Sequence, residues 1–152
     1  MKDRSEKVRD VMTRNPDCLS ETDGVSKAAE LMVKNDCGAI PVIEDKRLVG
    51  MITDRDIVIR LVARGRNPAE ATVGEAMSRG VHTVREDQLI DQVYAVMARE
   101  QVRRIPVVGG DDEIVGIVSV ADVAIEDHQN GKLARAVEEI SEHSSEGRPA
   151  NG

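Results

Sequence analysis

Two short segments of the chain place a hydroxyl side chain three positions ahead of an aspartate. Thr53 precedes Asp56 in the first segment, and Ser119 precedes Asp122 in the second. Each segment follows a glycine and a short apolar run, and each is predicted to open a helix. This spacing is typical of a capping box, in which the hydroxyl and the carboxylate bond to backbone amides of the first helical turn.

The same placement also suits a nucleotide. Unpaired N–H groups and partial positive charge at a helix N-terminus favour a phosphate, and a carboxylate accepts hydrogen bonds from the hydroxyls of a ribose. Both segments use aspartate, although the longer glutamate or glutamine is the usual partner in a capping box. A structural cap and a nucleotide contact therefore both stand as interpretations of these four residues.

The two segments belong to a unit that occurs twice in the chain. Met12 corresponds to Met77 at an offset of 65 residues, and Gly50 corresponds to Gly116 at an offset of 66. The additional residue falls in a polar, glycine-bearing turn, where an insertion costs little. A fixed period indicates one supersecondary unit used twice, and a unit of about 50 residues is marginal alone. We therefore expect one domain built from both copies.

Within each copy the pattern predicts an α+β (α/β) unit in the order β-α-β-β-α. Apolar residues at helical spacing predict a buried stripe on the first helix. These residues are Val25, Ala28, Ala29 and Met32 in copy one, and Ile90, Val93, Tyr94 and Met97 in copy two. Thr22 and Asp87, at equivalent positions, are the predicted N-caps of these helices.

Two short apolar runs follow each first helix and predict a hairpin. The runs are residues 39–43 and 48–52 in copy one, and 104–108 and 114–118 in copy two. Pro41 and Pro106 cannot donate a ladder hydrogen bond, so they mark a strand edge or a bulge. The predicted domain bounds are 5–65 for copy one and 66–127 for copy two, followed by a helix at 128–143 and a disordered tail at 144–152.

Composition excludes several classes of function. The chain has 152 residues, 40% of them apolar, and a net charge of −7, which disfavours binding to nucleic acid or to an anionic membrane. Tyr94 is the only aromatic residue, so no base-stacking platform exists. The charged N-terminus is not followed by an apolar segment, so we expect no secretory signal and a cytoplasmic location.

The cysteines and histidines show no metal-ligand spacing, and we expect no metal site and no cofactor. Cys18 and Cys37 are either reduced core thiols or a redox-sensitive pair. The sequence also lacks a phosphate-binding glycine loop and a nucleophile beside a base. The chain is therefore not expected to be an enzyme.

The doubled unit resembles a tandem pair of CBS (cystathionine β-synthase) domains, also called a Bateman module. The resemblance rests on Ile-Pro-Val in each hairpin and Gly-x-x-(Thr/Ser)-x-x-Asp at each second helix, and it covers roughly residues 5–127. The run from Gly50 to Ile57 is similar to that of small stand-alone bacterial CBS pairs. The resemblance implies two repeats related by a pseudo-twofold axis, with two clefts between them that receive an adenosine-containing ligand.

The resemblance also assigns ligand-binding roles. Asp56 and Asp122 would contact ribose hydroxyls, and Thr53 and Ser119 would contact phosphate or ribose. Adenine would be contacted by the apolar-proline pairs and by the residues that start each copy's first strand. Those residues are Ile40, Pro41, Ile105, Pro106, Cys18 and Thr83. Cys18 stands where the family usually has threonine.

Basic residues distinguish the two copies. Arg103 and Arg104 precede the second hairpin, where copy one has Gly38 and an alanine. The resemblance implies that these positions reach phosphates, and an arginine holds a phosphate through two parallel charge-assisted hydrogen bonds. Arg55 partly compensates in copy one. The alternative for Arg103 and Arg104 is a solvated patch or salt bridges to acidic residues.

These observations predict a non-enzymatic regulatory module that binds an adenosine-containing ligand. AMP, ADP, ATP, NAD and S-adenosylmethionine all fit the predicted contacts. The alternative is a ligand-free module for dimerisation and partner docking. A homodimer formed through the helices and a protein partner of unknown identity are expected in either case.

Overall fold

The computed structural model describes residues 6–126. The helices are α1 (Val8–Val11), α2 (Val25–Asn35), α3 (Asp54–Arg60), α4 (Val73–Ala76), α5 (Ile90–Glu100) and α6 (Val120–Glu126). The strands are β1 (Thr13–Arg14), β2 (Ala39–Glu44), β3 (Arg47–Thr53), β4 (Val84–Arg85), β5 (Arg104–Val108) and β6 (Ile114–Ser119). The helix predicted at 128–143 and the tail at 144–152 lie outside the described residues.

The described chain packs as two units, each with an aliphatic core of its own. The first unit comprises residues 15–82 and 108–114, and the second comprises residues 6–14, 83–107 and 115–126. Both units mix helices and strands in the predicted order, so the predicted α+β fold is confirmed. None of the helices within residues 6–126 is long and apolar enough to cross a membrane.

In the first unit, β2 and β3 form an antiparallel hairpin that places Ile40 opposite Ile52. A register shift follows Pro41, between Val42 and Ile43, as expected of a proline next to a bulge. Leu19 pairs in parallel with Val42 on one side of the hairpin. Met51 and Ser78 pair antiparallel on the other side.

The second unit repeats this arrangement as a four-stranded sheet in the order β1-β6-β5-β4. Strand β1 pairs antiparallel with β6, placing Thr13 opposite Ile117. Thr13 corresponds to Ser78 in the sequence repeat, and Ile117 corresponds to Met51. The segment that begins each copy therefore adds a strand to the hairpin of the other copy. The bounds proposed for the two repeats, at residues 65 and 66, stay a prediction.

The first helix of each copy begins later than predicted, so the assignment of Thr22 and Asp87 as N-caps is wrong. The capping positions are Gly24 and Leu89, and neither caps the helix with a side-chain acceptor. Instead, each first helical amide donates to a carbonyl oxygen of the segment that begins the other copy. These two exchanged segments are residues 6–14 of copy one and residues 66–82 of copy two. The amide of Val25 donates to Ala71, and that of Ile90 donates to Glu6, at 3.0 and 3.1 Å.

The two helices differ in the width of their buried stripe. All four predicted residues of α5 are buried, and the Tyr94 hydroxyl donates to the Val123 carbonyl oxygen at 3.3 Å. On α2, Val25, Ala28 and Met32 are buried, but Ala29 is exposed, contrary to the prediction. Ala29 occupies the position of Tyr94, and its methyl group is too short to reach across to a neighbouring element.

The connection between the copies contains a left-handed glycine and a capping box. Gly65 lies in the left-handed region at φ 71°, which ends the 3-10 turn Val62–Arg64. Thr72 and Glu75 form a capping box at the start of α4, in which the Thr72 amide donates to the Glu75 carboxylate at 2.8 Å. This bond, with the nearby Arg66, holds the pKa of Glu75 below its ordinary value.

Candidate functional site

The hydroxyl–carboxylate pair of copy one lies at the start of α3 and forms a complete capping box. The amide of Asp56 donates to Thr53 Oγ1, and the amide of Thr53 donates to Asp56 Oδ2, both at 3.0 Å. The second oxygen of Asp56 is also occupied, because the Ser78 hydroxyl donates to Oδ1 at 3.0 Å. With both oxygens bonded and only 6% of the residue exposed, Asp56 is enclosed within the first unit.

The pair of copy two lies at the start of α6 and has one contact fewer. The amide of Ser119 donates to Asp122 Oδ2 at 2.9 Å, and the amide of Asp122 donates to Ser119 Oγ at 3.2 Å. Asp122 Oδ1 accepts no hydrogen bond from residues 6–126. Thr13, which corresponds to Ser78, is exposed and does not bond to Asp122. Among the described residues, one carboxylate oxygen of Asp122 is therefore without a hydrogen-bond donor.

The loop ahead of each hairpin is held against the start of the second helix in the same way. The amide of Asp54 donates to the Gly38 carbonyl oxygen at 3.0 Å, and the amide of Val120 donates to the Arg103 carbonyl oxygen at 2.9 Å. These bonds bring Arg103 close along the backbone to Ser119. In each unit the structure thus brings the loop residues and the hydroxyl–carboxylate pair together.

The two loops carry opposite charge. A β-carbon on Gly38 would lie 2.8 Å from Asp54 Oδ2, so the space beside Gly38 is filled by a carboxylate. In copy two the same positions are Arg103, which is exposed, and an apolar Val120. Arg104 is partly exposed, and Arg55 is exposed on the first turn of α3. Copy two therefore presents two guanidinium groups, whereas copy one presents one guanidinium group beside a carboxylate.

The apolar-proline pairs belong to the cores of their units. Ile40 is 2% exposed and Ile105 is fully buried, and the prolines that follow them, Pro41 and Pro106, are buried as well. Their side chains support the hairpins that carry the loops. Their predicted contact with adenine stays a prediction.

The residues that begin the first strands differ in exposure and chemistry. Thr83 is exposed directly before β4, whereas Cys18 is partly buried and its thiol donates to the Pro16 carbonyl oxygen at 3.2 Å. Burial raises the pKa of the Cys18 thiol to about 11, and the adjacent Asp17 carboxylate adds to the rise. Cys18 and Cys37 are both free thiols, so the structure shows no disulfide between them.

Ser78 is the site residue that sequence reasoning missed. It follows Met77 in a segment assigned to the second copy, and it lies 22 residues from Asp56 along the chain. The only signal for its position is the repeat itself, which aligns Ser78 with Thr13. Within residues 6–126, no group of three histidine, cysteine, aspartate or glutamate residues could hold a metal ion.

Comparison with known proteins finds one matching family model and several proteins of similar sequence. A family model described as the CBS domain matches residues 8–63 and 73–128. Hypoxic response protein 1 of Mycobacterium tuberculosis is 41% identical over 118 residues, covering 77% of this chain and 82% of that protein. The CBS domain-containing protein YhcV of Bacillus subtilis is 36% identical over 134 residues, covering 88% of this chain and 94% of that protein.

Two solved structures share the fold. The crystal structure of Hypoxic Response Protein I, with two coordinated zinc ions, matches with a TM-score of 0.72 and 40% identity over 79% of this chain and 98% of that chain. The CBS domain pair of protein MJ0100, in complex with 5′-methylthioadenosine and S-adenosylmethionine, matches with a TM-score of 0.70 and 28% identity over 80% of this chain and 94% of that chain.

Proposed function

The chain belongs to the CBS domain family, and from this premise we propose that it is a non-enzymatic regulatory module that binds an adenosine-containing ligand. The observation that carries the proposal is the hydroxyl–carboxylate pair that each unit holds at the start of its second helix. The adenosine ligands of the MJ0100 pair support the same class of ligand. The ligand binds as a signal, and no cofactor takes part.

Asp122 and Ser119 are the contacts that we propose for the ribose. Asp122 Oδ1, which accepts no hydrogen bond from residues 6–126, accepts from a ribose hydroxyl, and the Ser119 hydroxyl donates to a ligand oxygen. Arg103 and Arg104 favour a ligand that carries phosphate, because guanidinium groups bind phosphate with charge-assisted hydrogen bonds. AMP, ADP, ATP and NAD meet this condition. S-adenosylmethionine has the adenosine part alone.

A reaction is not part of the proposal. The Cys18 thiol has a pKa of about 11, so it is protonated near neutral pH and is a poor nucleophile. The acidic partners of the two hydroxyl residues, Asp56 and Asp122, bond to backbone amides.

The identity of the ligand is tested by releasing small molecules from protein purified without added nucleotide and identifying them by mass spectrometry. A panel of AMP, ADP, ATP, NAD and S-adenosylmethionine is then tested by thermal shift. A ligand at about 100 times its dissociation constant stabilises the folded chain by about 2.7 kcal/mol. An empty preparation together with no shift from any of the five compounds overturns the proposal.

A second candidate function, dimerisation and partner docking without a ligand, is favoured by exposed apolar residues around the end of α3. Val58 is 55% exposed, Ile59 is 43% exposed and Val62, in the following turn, is 55% exposed. Residues three and four apart on a helix are neighbours on its surface. We propose that this surface covers the same surface of a second copy in a homodimer. Any further protein partner stays unidentified.

A further inference from the structure

We propose that Ser78 closes the copy-one carboxylate to the ligand, so that each chain binds one adenosine moiety through the copy-two pair. This inference rests on the proposed function and concerns which of the two pairs is used. Its basis is a difference between residues that the sequence repeat makes equivalent. Ser78 and Thr13 hold the same strand position, but only Ser78 bonds to the aspartate of its unit.

The Ser78 hydroxyl makes the hydrogen bond to Asp56 that a ribose hydroxyl would otherwise make. It donates to Asp56 Oδ1 at 3.0 Å, while the Thr53 amide donates to Oδ2 at the same distance. Further acceptor capacity on these oxygens is shielded, because Asp56 is 6% exposed. A ribose reaching Asp56 would have to displace a charge-assisted bond and leave the Ser78 hydroxyl without its acceptor. The exchange would bring the ligand no additional hydrogen bond.

Among the described residues, no side-chain hydroxyl donates to Asp122 as Ser78 donates to Asp56. Asp122 is partly exposed, its Oδ1 accepts no bond from the described residues, and Thr13 is an exposed residue that does not bond to it. The surrounding charges act in the same direction. A carboxylate of Asp54 lies beside the copy-one loop, where it offsets the attraction of the exposed Arg55 for a phosphate, whereas at the copy-two loop Arg103 is exposed and Val120 stands in the position of Asp54. Both differences favour the copy-two pair for a phosphorylated ligand.

Calorimetric titration of the full-length chain with AMP, and separately with S-adenosylmethionine, tests the inference through the number of sites. We expect one site per chain in the wild type. Ser78→Ala should add a second site, because the freed Asp56 Oδ1 gains a ribose donor and affinity at that pair rises about tenfold or more. Ser78→Ala/Asp122→Ala should retain one site. Thr13→Ala, the matched control at the equivalent strand position, should keep the wild-type stoichiometry.

Folding of each variant is checked by circular dichroism. Ser78→Cys, whose thiol is a weak donor, is the second variant should Ser78→Ala fail to fold, and it should also raise the number of sites. Two sites in the wild type, or one site in both the wild type and the Ser78 variant, overturns the inference and leaves the proposed function standing. No binding of either probe to any of these proteins overturns the inference, and the five-compound panel then decides separately whether the proposed function stands.

Discussion

The main chain at Ser78 passes so close to Gly50 that a β-carbon on Gly50 would lie 2.3 Å from the Ser78 carbonyl oxygen. Gly116 has the same relationship to Thr13, whose carbonyl oxygen would lie 2.9 Å from a β-carbon. Gly50 precedes Met51, which pairs with Ser78, and Gly116 itself pairs with Arg14. The absence of a side chain at Gly50 and Gly116 is therefore what allows the exchanged segment to join the hairpin.

Gly50→Ala is expected to destabilise the first unit by about 1–3 kcal/mol, because the new methyl group meets backbone that cannot rotate away. Urea unfolding followed by circular dichroism measures the change. Gly110→Ala is the matched control, since a β-carbon there meets nothing within 4 Å. Equal stability of the two variants would contradict the close approach at Gly50.

Arg60→Ala is expected to lower the free energy of unfolding by about 1.5–3 kcal/mol, the usual range for a hydrogen bond to a charged group. The Arg60 guanidinium donates to the carbonyl oxygens of Ala76 and Met77 and thereby ties α3 to the segment that carries Ser78. Arg64→Ala, at an exposed position, should change stability by less than about 0.5 kcal/mol. Similar losses from both variants would show that the Arg60 contacts do not stabilise the fold.

Alkylation of Cys18 is expected to follow its raised pKa. In Cys37→Ser the rate of reaction with iodoacetamide should rise about tenfold for each pH unit between about pH 8 and pH 10, because the thiolate fraction is still small there. The same variant unfolded in urea should level off near the ordinary thiol value of 9.0. A folded protein whose rate levels off at the same pH as the unfolded one would contradict the assignment.

The raised pKa of Cys18 also predicts how the stability of the folded chain depends on pH. The folded chain holds the thiol proton more tightly than the unfolded chain, so the contribution is complete below the ordinary value of 9.0 and is lost as pH rises through about 11. The difference in thermal stability between Cys37→Ser and Cys18→Ser/Cys37→Ser should be constant below about pH 9, and Cys37→Ser should lose stability relative to the double variant between about pH 9 and pH 11. A difference that stays constant across that window would contradict the raised pKa.

Val58→Asp is expected to convert the proposed homodimer to a monomer, because it introduces a charge into the exposed apolar surface at the end of α3. Light scattering at micromolar concentration measures the mass. Val33→Asp is the control, since Val33 is 83% exposed and lies on α2. A monomeric wild type, or a dimer that survives Val58→Asp, would contradict the proposed interface.

Sequence patterns predicted the features whose partners lie nearby in the chain. The capping boxes at Thr53 and Ser119 join residues three apart, and the structure contains both. The order of strands and helices in each copy followed from hydrophobic periodicity in the same way. Local chemistry was sufficient because the contacts themselves are local.

Features that depend on the exchanged segments could not be predicted in this way. Thr22 looks like an N-cap, but it lies in a turn in which the Ser20 amide donates to Asp23 Oδ2 at 2.7 Å. The helix then starts at Val25, whose amide is satisfied by the Ala71 carbonyl oxygen. No local pattern indicates an acceptor so far along the chain, and the Ser78 contact with Asp56 was missed for the same reason.

The most direct test of the account is the affinity of the Asp122→Ala variant for its adenosine ligand, measured by calorimetry beside the wild type. Loss of a hydrogen bond to the carboxylate should weaken binding by about 1.5–3 kcal/mol, which is about 10- to 150-fold. Asp87→Ala, an exposed carboxylate in a turn ahead of α5, should bind like the wild type. An Asp122→Ala variant that binds as tightly as the wild type would contradict the assignment of the ribose contact and with it the central claim.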